Sequence, residues 1–480
     1  MSLTTVQRNA LGTKPLFYYI KNNELHTTHK LADLRFKPSL RINASGIAAL
    51  CFLGPGRPIG SAFYDNIHEL SPGERVEYYS MSDTVNVVRY YQPQAKQHTD
   101  TFEQTAMRVR ELLIQSVQRT ASYNPALLLS GGLDSSIIGA IMKHLGMPIT
   151  AYSLDYKQNN EHFAATDFQS TEDAPFVAEM CRSLNCNLHK VVIDNEQAFN
   201  ALREAVVARG LPGMADIDSS LYLLCSEVSR HHTTVLGGEC ADELFGGYRW
   251  YNDVEIVENV KTLPWMKCAN ERAWLLRSDV VAKLPDPNEY IAAVRRDITS
   301  IVPYLDTDDG LTRKRREMFY LNYYGFMQTL NERNYTMASA NRMQILSPFA
   351  DEELAEYAFN IPWEFKQHGG KEKGLLRYAF RDMLPEAVLN RKKSPFPKTH
   401  NPVYLELVIG ELQRIIDDSD CCVLEMFDKF KLQELIDSRG KAFSEAGVNW
   451  FGQLMAVPQM FAYLIQVEYW LREFNVEVAL

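Results

Sequence analysis

The sequence predicts an α/β protein: a doubly wound parallel sheet with helices, preceded by a small, mainly β segment and followed by a helical part. Three observations predict it. Short apolar runs such as Pro125-Ala126-Leu127-Leu128-Leu129 end in glycine-rich turns and pass into helical patterns, as buried parallel strands do. Residues 1 to about 95 read instead as short strands broken by Gly, Pro and Asn turns. Residues 250–475 read as mainly helical and are rich in aromatic side chains.

In the first segment, Lys14–Tyr19 and Glu24–Thr28 flank Asn22-Asn23, a turn signal, and Ser71-Pro72-Gly73-Glu74 is another. Ala48–Leu53, which contains Cys51, reads as plain core. A helix is expected over about 100–119, where Ala106, Val109, Leu112, Leu113 and Val117 share one face. Strands are expected at 125–129, 149–154, 189–193 and 233–236. Helices are expected after Leu133, after Ala174 and over about 219–230. Such alternation places ligands at the carboxyl ends of the strands.

Two turns carry the chemistry. Ser130-Gly131-Gly132-Leu133-Asp134-Ser135-Ser136 joins a strand to a helix. Its glycines let a ligand approach the backbone, and the amides of a helix start with serine hydroxyls make an anion site. Asp134 suits a phosphate only when it is carried with Mg²⁺. The spacing is not that of the P-loop. The second turn, Gly237-Gly238-Glu239-Cys240-Ala241-Asp242-Glu243, places three acids among five residues in an apolar context, so they need a cation or polar partners. Asp218, Ser219 and Ser220 read equally as substrate contacts or as a helix cap. Arg391–Pro402 is a basic, proline-fixed loop, which is either a solvated turn or a cation source for a phosphate.

Composition sets the frame. Hydrophobic residues make up 46% of the 480 positions and charged residues 23%, as in ordinary globular proteins. The net charge of −10 and the lack of a Lys/Arg run argue against a nucleic-acid partner. Eight scattered cysteines with no C-x-x-C pair suit a reducing cytoplasm. No apolar run reaches membrane-spanning length.

The Ser130–Ser136 string resembles the pyrophosphate loop of the ATP pyrophosphatases, which activate a substrate as an adenylate. Within that group the chain resembles the synthetase domain of asparagine synthetases and β-lactam synthetases. The resemblance implies a sheet of the adenine-nucleotide alpha-hydrolase type over residues 98–480. It places ATP against Ser130, Gly131, Gly132, Asp134, Ser135, Leu154 and Gly238. It makes Asp134 and Asp242 the Mg²⁺ ligands, Lys393 the catalytic lysine, and Glu239 the acid near the reacting acyl group. β-Lactam synthetases carry tyrosine at the Glu239 position. Leu211–Tyr222 resembles a substrate-pocket segment, which adds Ser219 and Ser220 as substrate contacts. Asparagine synthetases have Glu-x-Arg-Val-Pro-Phe where this chain has Gln344–Phe349. Gln344 is therefore a further substrate candidate, and aspartate is in doubt as substrate. A lost structural ion pair would explain the same change.

The implied function is an AMP-forming amide ligase of specialised metabolism, similar to β-lactam synthetases, acting on a small carboxylate and on an amine that is either part of the same substrate, giving a lactam, or a second substrate. The alternatives are an ammonia-dependent asparagine synthetase and a non-catalytic nucleotide-binding relative. Leu11–Tyr18 and Ile67–Gly73 resemble stretches inside and at the end of a glutaminase domain, so residues 1–97 are expected to be a truncated, inactive remnant. Its apolar sheet face should be covered, by the rest of the chain or by a second copy in a homodimer. The family's N-terminal cysteine nucleophile has no counterpart here, since residue 2 is serine. Glutamine is therefore expected not to serve as nitrogen donor. Glutamate release by the pure polypeptide with glutamine and ATP would contradict this.

Overall fold

The computed structural model describes residues 3–35, 40–163, 171–441, 443, 451 and 455–480. Its centre is a parallel sheet of β8 (Ala126–Leu128), β9 (Thr150–Tyr156), β10 (Asn187–Ile193), β11 (Thr234–Leu236) and β12 (Gln344–Leu346), in the order β10-β9-β8-β11-β12. The chain begins in the middle at β8, moves outward through β9 to β10, then crosses back to β11 and β12. Connections thus leave β8 and β11 in opposite directions, and a crevice opens between their carboxyl ends. Leu127 pairs with Ala151 on one side and with Leu236 on the other.

Side chains alternate across the sheet. Leu127, Ala151 and Leu236 belong to the core containing Leu113, Ile137, Ile138 and Met180. Ala126, Tyr152 and Val235 face the other way, onto Leu221, Leu224 and Met337. Helices Phe102–Arg119, Leu133–His144, Ala174–Leu184 and Asp216–Val228 stand where the patterns predict helices. Thr101 and Gln104 close the first of them with a capping box. Two elements differ from expectation. Gln344–Leu346, read above only as a substrate segment, is an edge strand paired with β11. Ala44–Phe52, read as featureless core, is a helix capped by Asn43. It is apolar on nearly every side, so periodicity could not mark it.

The N-terminal segment holds two small antiparallel sheets. One comprises β1 (Leu3–Gln7), β6 (Glu74–Tyr79) and β7 (Thr84–Arg89); the other comprises β2 (Phe17–Lys21), β3 (Glu24–Thr28) and β5 (His68–Glu69). Asn22 and Asn23 both take positive φ, 54° and 58°, in the β2–β3 turn, the conformation a two-residue hairpin requires. β4 (Leu40–Ile42) pairs in parallel with β13 (Val476–Val478), so residues from both ends of the described chain share a sheet.

The segment's cover comes from the rest of the same chain. The Tyr323 hydroxyl donates to the Ala10 carbonyl, Tyr463 to Leu50 and Arg272 to Phe52. Cys51 is buried there, and burial pushes its thiol up to about 12, consistent with a core residue. A ladder of buried charges crosses the same junction. Arg8 and Arg57 grip Glu69, Arg57 and Arg209 grip Glu332, and Arg209 and Arg333 flank Asp218, at 2.7–3.4 Å. Burial opposes the Glu332 charge, but Arg57 and Arg209 outweigh it and hold the carboxyl below its usual range.

Removing a shared carboxylate strands its buried cations. Glu332→Ala is therefore expected to cost about 3–5 kcal/mol and to make the N-terminal segment sensitive to protease. Urea unfolding and limited proteolysis check this. A loss below about 1 kcal/mol, in the range of an exposed pair, would contradict it.

Candidate active site

The crevice between β8 and β11 is walled by the two turns singled out above. Gly131 takes φ +69°, and a Cβ there would lie 2.7 Å from Phe176 Cβ and Val177 N. Only glycine lets the turn tuck beneath the neighbouring helix. Ser130 Oγ accepts from Gly132 N and lies 3.1 Å from Ser135 Oγ. Gly132 caps helix Leu133–His144 without a side-chain bond, so its first turn faces the crevice with serine hydroxyls around it. Across the gap, a Cβ on Gly238 would come 2.9 Å from Asp134 Cβ and from Ser135 N. The two turns therefore touch.

At their meeting point lies a cluster of four charges, Lys373 and Asp242 buried and Asp134 and Lys393 partly so. Lys373 Nζ donates to both oxygens of Asp134, at 2.8 and 2.7 Å, and to Asp242 Oδ1 at 2.6 Å. Lys393 pairs with Asp242 Oδ2. Burial alone would push the Asp242 carboxyl up, but the two ammoniums outweigh it and hold it at about 2. Burial would likewise lower Lys393, and the carboxylates of Asp242 and Asp134 raise it instead. Asp242 and Lys393 thus hold each other charged, whereas at Asp134 burial outweighs the neighbouring ammoniums and shifts the carboxyl upward.

The basic loop is braced into this cluster. Glu372 Oε1 accepts from Lys393 N and from Arg377, and Arg377 also donates to the Arg391 carbonyl. Arg391 donates to the Ser130 carbonyl, pairs with Asp173 and stacks 4.2 Å over Phe176. One cleft of about 1090 Å³ gathers Ser130, Gly132, Asp134, Ser135, Leu154, Gly238, Glu239, Asp242 and Lys393. Gly131 forms the turn behind it. Glu239 lines the cleft, and no hydrogen bond or ion pair engages its carboxylate among the described residues. The oxygens of Asp134 and Asp242, converging on one ammonium, are the hard donors a magnesium ion takes together with phosphate oxygens.

Three expected substrate contacts stand elsewhere. Ser219 and Ser220 are fully buried in the first turns of helix Asp216–Val228 and donate to the carbonyls of Ala215 and Ile217. The helix starts at Asp216 with Ala215 before it, so none of Asp218, Ser219 and Ser220 is its cap. Asp218 accepts from Met214 N and serves the charge ladder. Gln344, at the amino end of β12, donates to Thr234 Oγ1 at 3.0 Å, away from the cleft. Sequence reasoning missed Lys373, Glu372 and Arg377. Their signal was the string Lys371-Glu372-Lys373-Gly374, a charged break in a helical region.

The chain matches the family described as Asparagine synthase over residues 108–472, which spans the crevice and every residue of its cluster. It belongs to the asparagine synthase family. It is 36% identical to glutamine-hydrolyzing asparagine synthetase 3 of Bacillus subtilis, over 99% of this chain and 78% of that protein. It is 23% identical to glutamine-hydrolyzing asparagine synthetase 1 of the same organism, over 81% of this chain and 65% of that one. It is 24% identical to Amidase chry2 of Gibberella zeae, over 81% of this chain and 66% of that one. With membership of the asparagine synthase family comes the reaction class, formation of a C–N bond with ATP.

Glu243 lies beside the cluster. Tyr248 donates to its Oε1 at 2.5 Å, and the Tyr248 ring lies 6.0 Å from Lys393 Nζ. Burial and then the Asp242 charge push its carboxyl from 4.5 up to about 8. Between those values the folded protein keeps a proton that the unfolded chain has lost, so stability falls as pH rises. Glu243→Gln, which cannot ionise, is expected to flatten stability between pH 4.5 and 8. Urea midpoints across that window check it. An unchanged slope would contradict it.

Proposed function

We propose that this enzyme joins a substrate carboxylate to ATP as an acyl-adenylate and passes the acyl group to an amine, releasing pyrophosphate and then AMP. The observation that carries this reading is the pairing of Lys373 and Lys393 with Asp134 and Asp242 at the sheet's switch point. An AMP-forming reaction needs a cradle for pyrophosphate and a cation at the α-phosphate, and this cluster supplies groups for both. Ser130, Gly131, Gly132 and Ser135 would bind the phosphates through amides and hydroxyls. Leu154 and Gly238 would border the nucleoside. Asp134 and Asp242 would hold Mg²⁺, which neutralises phosphate charge when bound.

The carboxylate oxygen attacks the α-phosphorus, and the bond to the pyrophosphate oxygen breaks. Lys393, kept protonated by its carboxylate partners, stabilises the charge that develops there. Lys373 would hold the departing pyrophosphate. The amine then attacks the acyl carbon, AMP leaves, and Glu239, unengaged at the cleft wall, accepts the amine proton. Residues 1–97 act as a brace in this reading, with the synthetase unit beginning at residue 98.

The substrate we favour is a specialised-metabolite carboxylate, with the amine either on that same molecule, closing a lactam as in β-lactam synthetases, or on a second substrate. The names of the B. subtilis relatives favour a second reading, asparagine formation from aspartate. Exchange of labelled pyrophosphate into ATP with each candidate acid separates the two. Lys393→Ala is expected to lower that exchange by about 10²–10³-fold while calorimetry still shows ATP binding. Near-normal exchange would make the basic loop a mere turn.

A further inference from the structure

The carboxyl end of helix Ala174–Leu184 carries two thiols in contact. Asn185, the residue after the helix, takes positive φ, 52°. Asn185 N donates to the Arg182 carbonyl at 3.2 Å, and Cys186 N donates to the Cys181 carbonyl at 3.3 Å. That pair of bonds is the Schellman ending of a helix, which brings the side chain after the left-handed residue against the one five positions earlier. Such a contact commonly joins two apolar groups. Here it joins two sulfurs. Cys186 Sγ donates to Cys181 Sγ at 3.2 Å, and Cys181 Sγ donates to the Cys186 carbonyl at 3.2 Å. Both thiols are free and half-buried, within reach of small reagents, whereas Cys51, Cys225 and Cys240 are buried.

The helix that carries the pair also supports the Ser130–Ser136 turn. At its start, Phe176 and Val177 lie beneath Gly131, where a Cβ would be 2.7 Å away, and the Arg391 guanidinium stacks on Phe176. At its end, Leu184 lies against Gly139 of helix Leu133–His144, where a Cβ would come 2.8 Å from Leu184 Cδ1. Neither contact has slack, and a close-packed interior transmits strain instead of absorbing it. Leu184 stands in the chain between the two cysteines. A movement of the sulfurs therefore reaches both the turn and the helix that follows it.

We propose that Cys181 and Cys186 are a peroxide-sensitive modification site: they oxidise to a disulfide whose formation loosens the seat of the Ser130–Ser136 turn. Cys181, having given its proton to solvent, attacks one oxygen of hydrogen peroxide. The O–O bond breaks, hydroxide leaves and takes up that proton as water, and the sulfur becomes a sulfenic acid. The Cys186 sulfur attacks that sulfur. The S–S bond forms, the S–O bond breaks, and the hydroxyl leaves with the Cys186 proton as a second water. The two sulfurs together lose two electrons, and the peroxide oxygens gain them. Burial and then the neighbouring Cys181 push the Cys186 thiol up to about 12, which gives Cys181 the first attack and Cys186 the second. Closing the bond draws the sulfurs from 3.2 Å to about 2.05 Å. The bridge encloses only Arg182–Asn185, a turn already fixed by backbone bonds. Strained or exposed disulfides are the readily reduced, regulatory kind.

The test treats the full chain with hydrogen peroxide, blocks the remaining thiols and reads peptide masses. Trypsin cuts after Arg182, so a disulfide alone would hold the fragment ending there to the one beginning at Ser183. The linked pair is expected in wild type, absent from Cys181→Ser and Cys186→Ser, and released by dithiothreitol. Amide hydrogen exchange across Ser130–Ser136 is expected to run severalfold faster in the oxidised chain, and peroxide should leave it unchanged in both variants. Absence of the linked pair would overturn the proposal. So would a linked chain whose turn exchanges no faster than that of the reduced one. Weaker ATP binding by the oxidised chain follows only where the nucleotide reading above holds. Mass and exchange do not depend on ATP, so either reading can fail alone.

Discussion

A carboxylate buried in a protein crevice stays charged only if cations face it at contact distance. Asp134 and Asp242 are brought to such a place by the topology of the sheet. β8 and β11 are neighbours whose connections diverge, so the turns after them end side by side. Gly238 removes the last steric gap between those turns. Lys373 and Lys393 then balance the two acids one for one. The strand order, the glycines and the braced basic loop together bring those four charges into contact. The same balance leaves the cluster ready for a ligand that is itself anionic and carried with a divalent cation.

The N-terminal segment is tied to this arrangement through a second set of buried charges. The ladder that begins at Arg8 and Arg57 ends at Arg333, whose guanidinium stacks 4.1 Å over Phe396. Phe396 lies three residues beyond Lys393 and lines the same cleft. A segment that carries none of the cleft's residues thus supports the loop that does. The segment is expected from sequence to be a glutaminase remnant, and its packing shows a physical use for such a piece. Much of its core, including Phe17, Ile47 and Leu50, is continuous with that of the sheet, while Leu16, Tyr18, Leu70 and Val76 form a small cluster of their own.

The strand-to-turn-to-helix units were legible because each has a local signature: an apolar run, glycines and a capped periodic helix. Those units carried Ser130–Ser135, Gly238, Glu239 and Asp242 into the cleft together. Three kinds of residue were not legible. Lys373 reaches the acids from a helix start with positive φ, 52°, a contact between remote segments that no local pattern encodes. Ser219 and Ser220 have the polar character of a binding site, but their hydroxyls return to their own helix. Gln344 sits in a three-residue strand too short for a period to show.

The central claim is that the four-charge cluster is the place where ATP and Mg²⁺ are held. Calorimetric titration of ATP, with and without Mg²⁺, into wild type, Asp134→Asn and Asp242→Asn tests it most directly. The account predicts that Mg²⁺ tightens ATP binding to wild type and that either substitution removes most of this tightening. Tight ATP binding that ignores Mg²⁺ and survives both substitutions would contradict it.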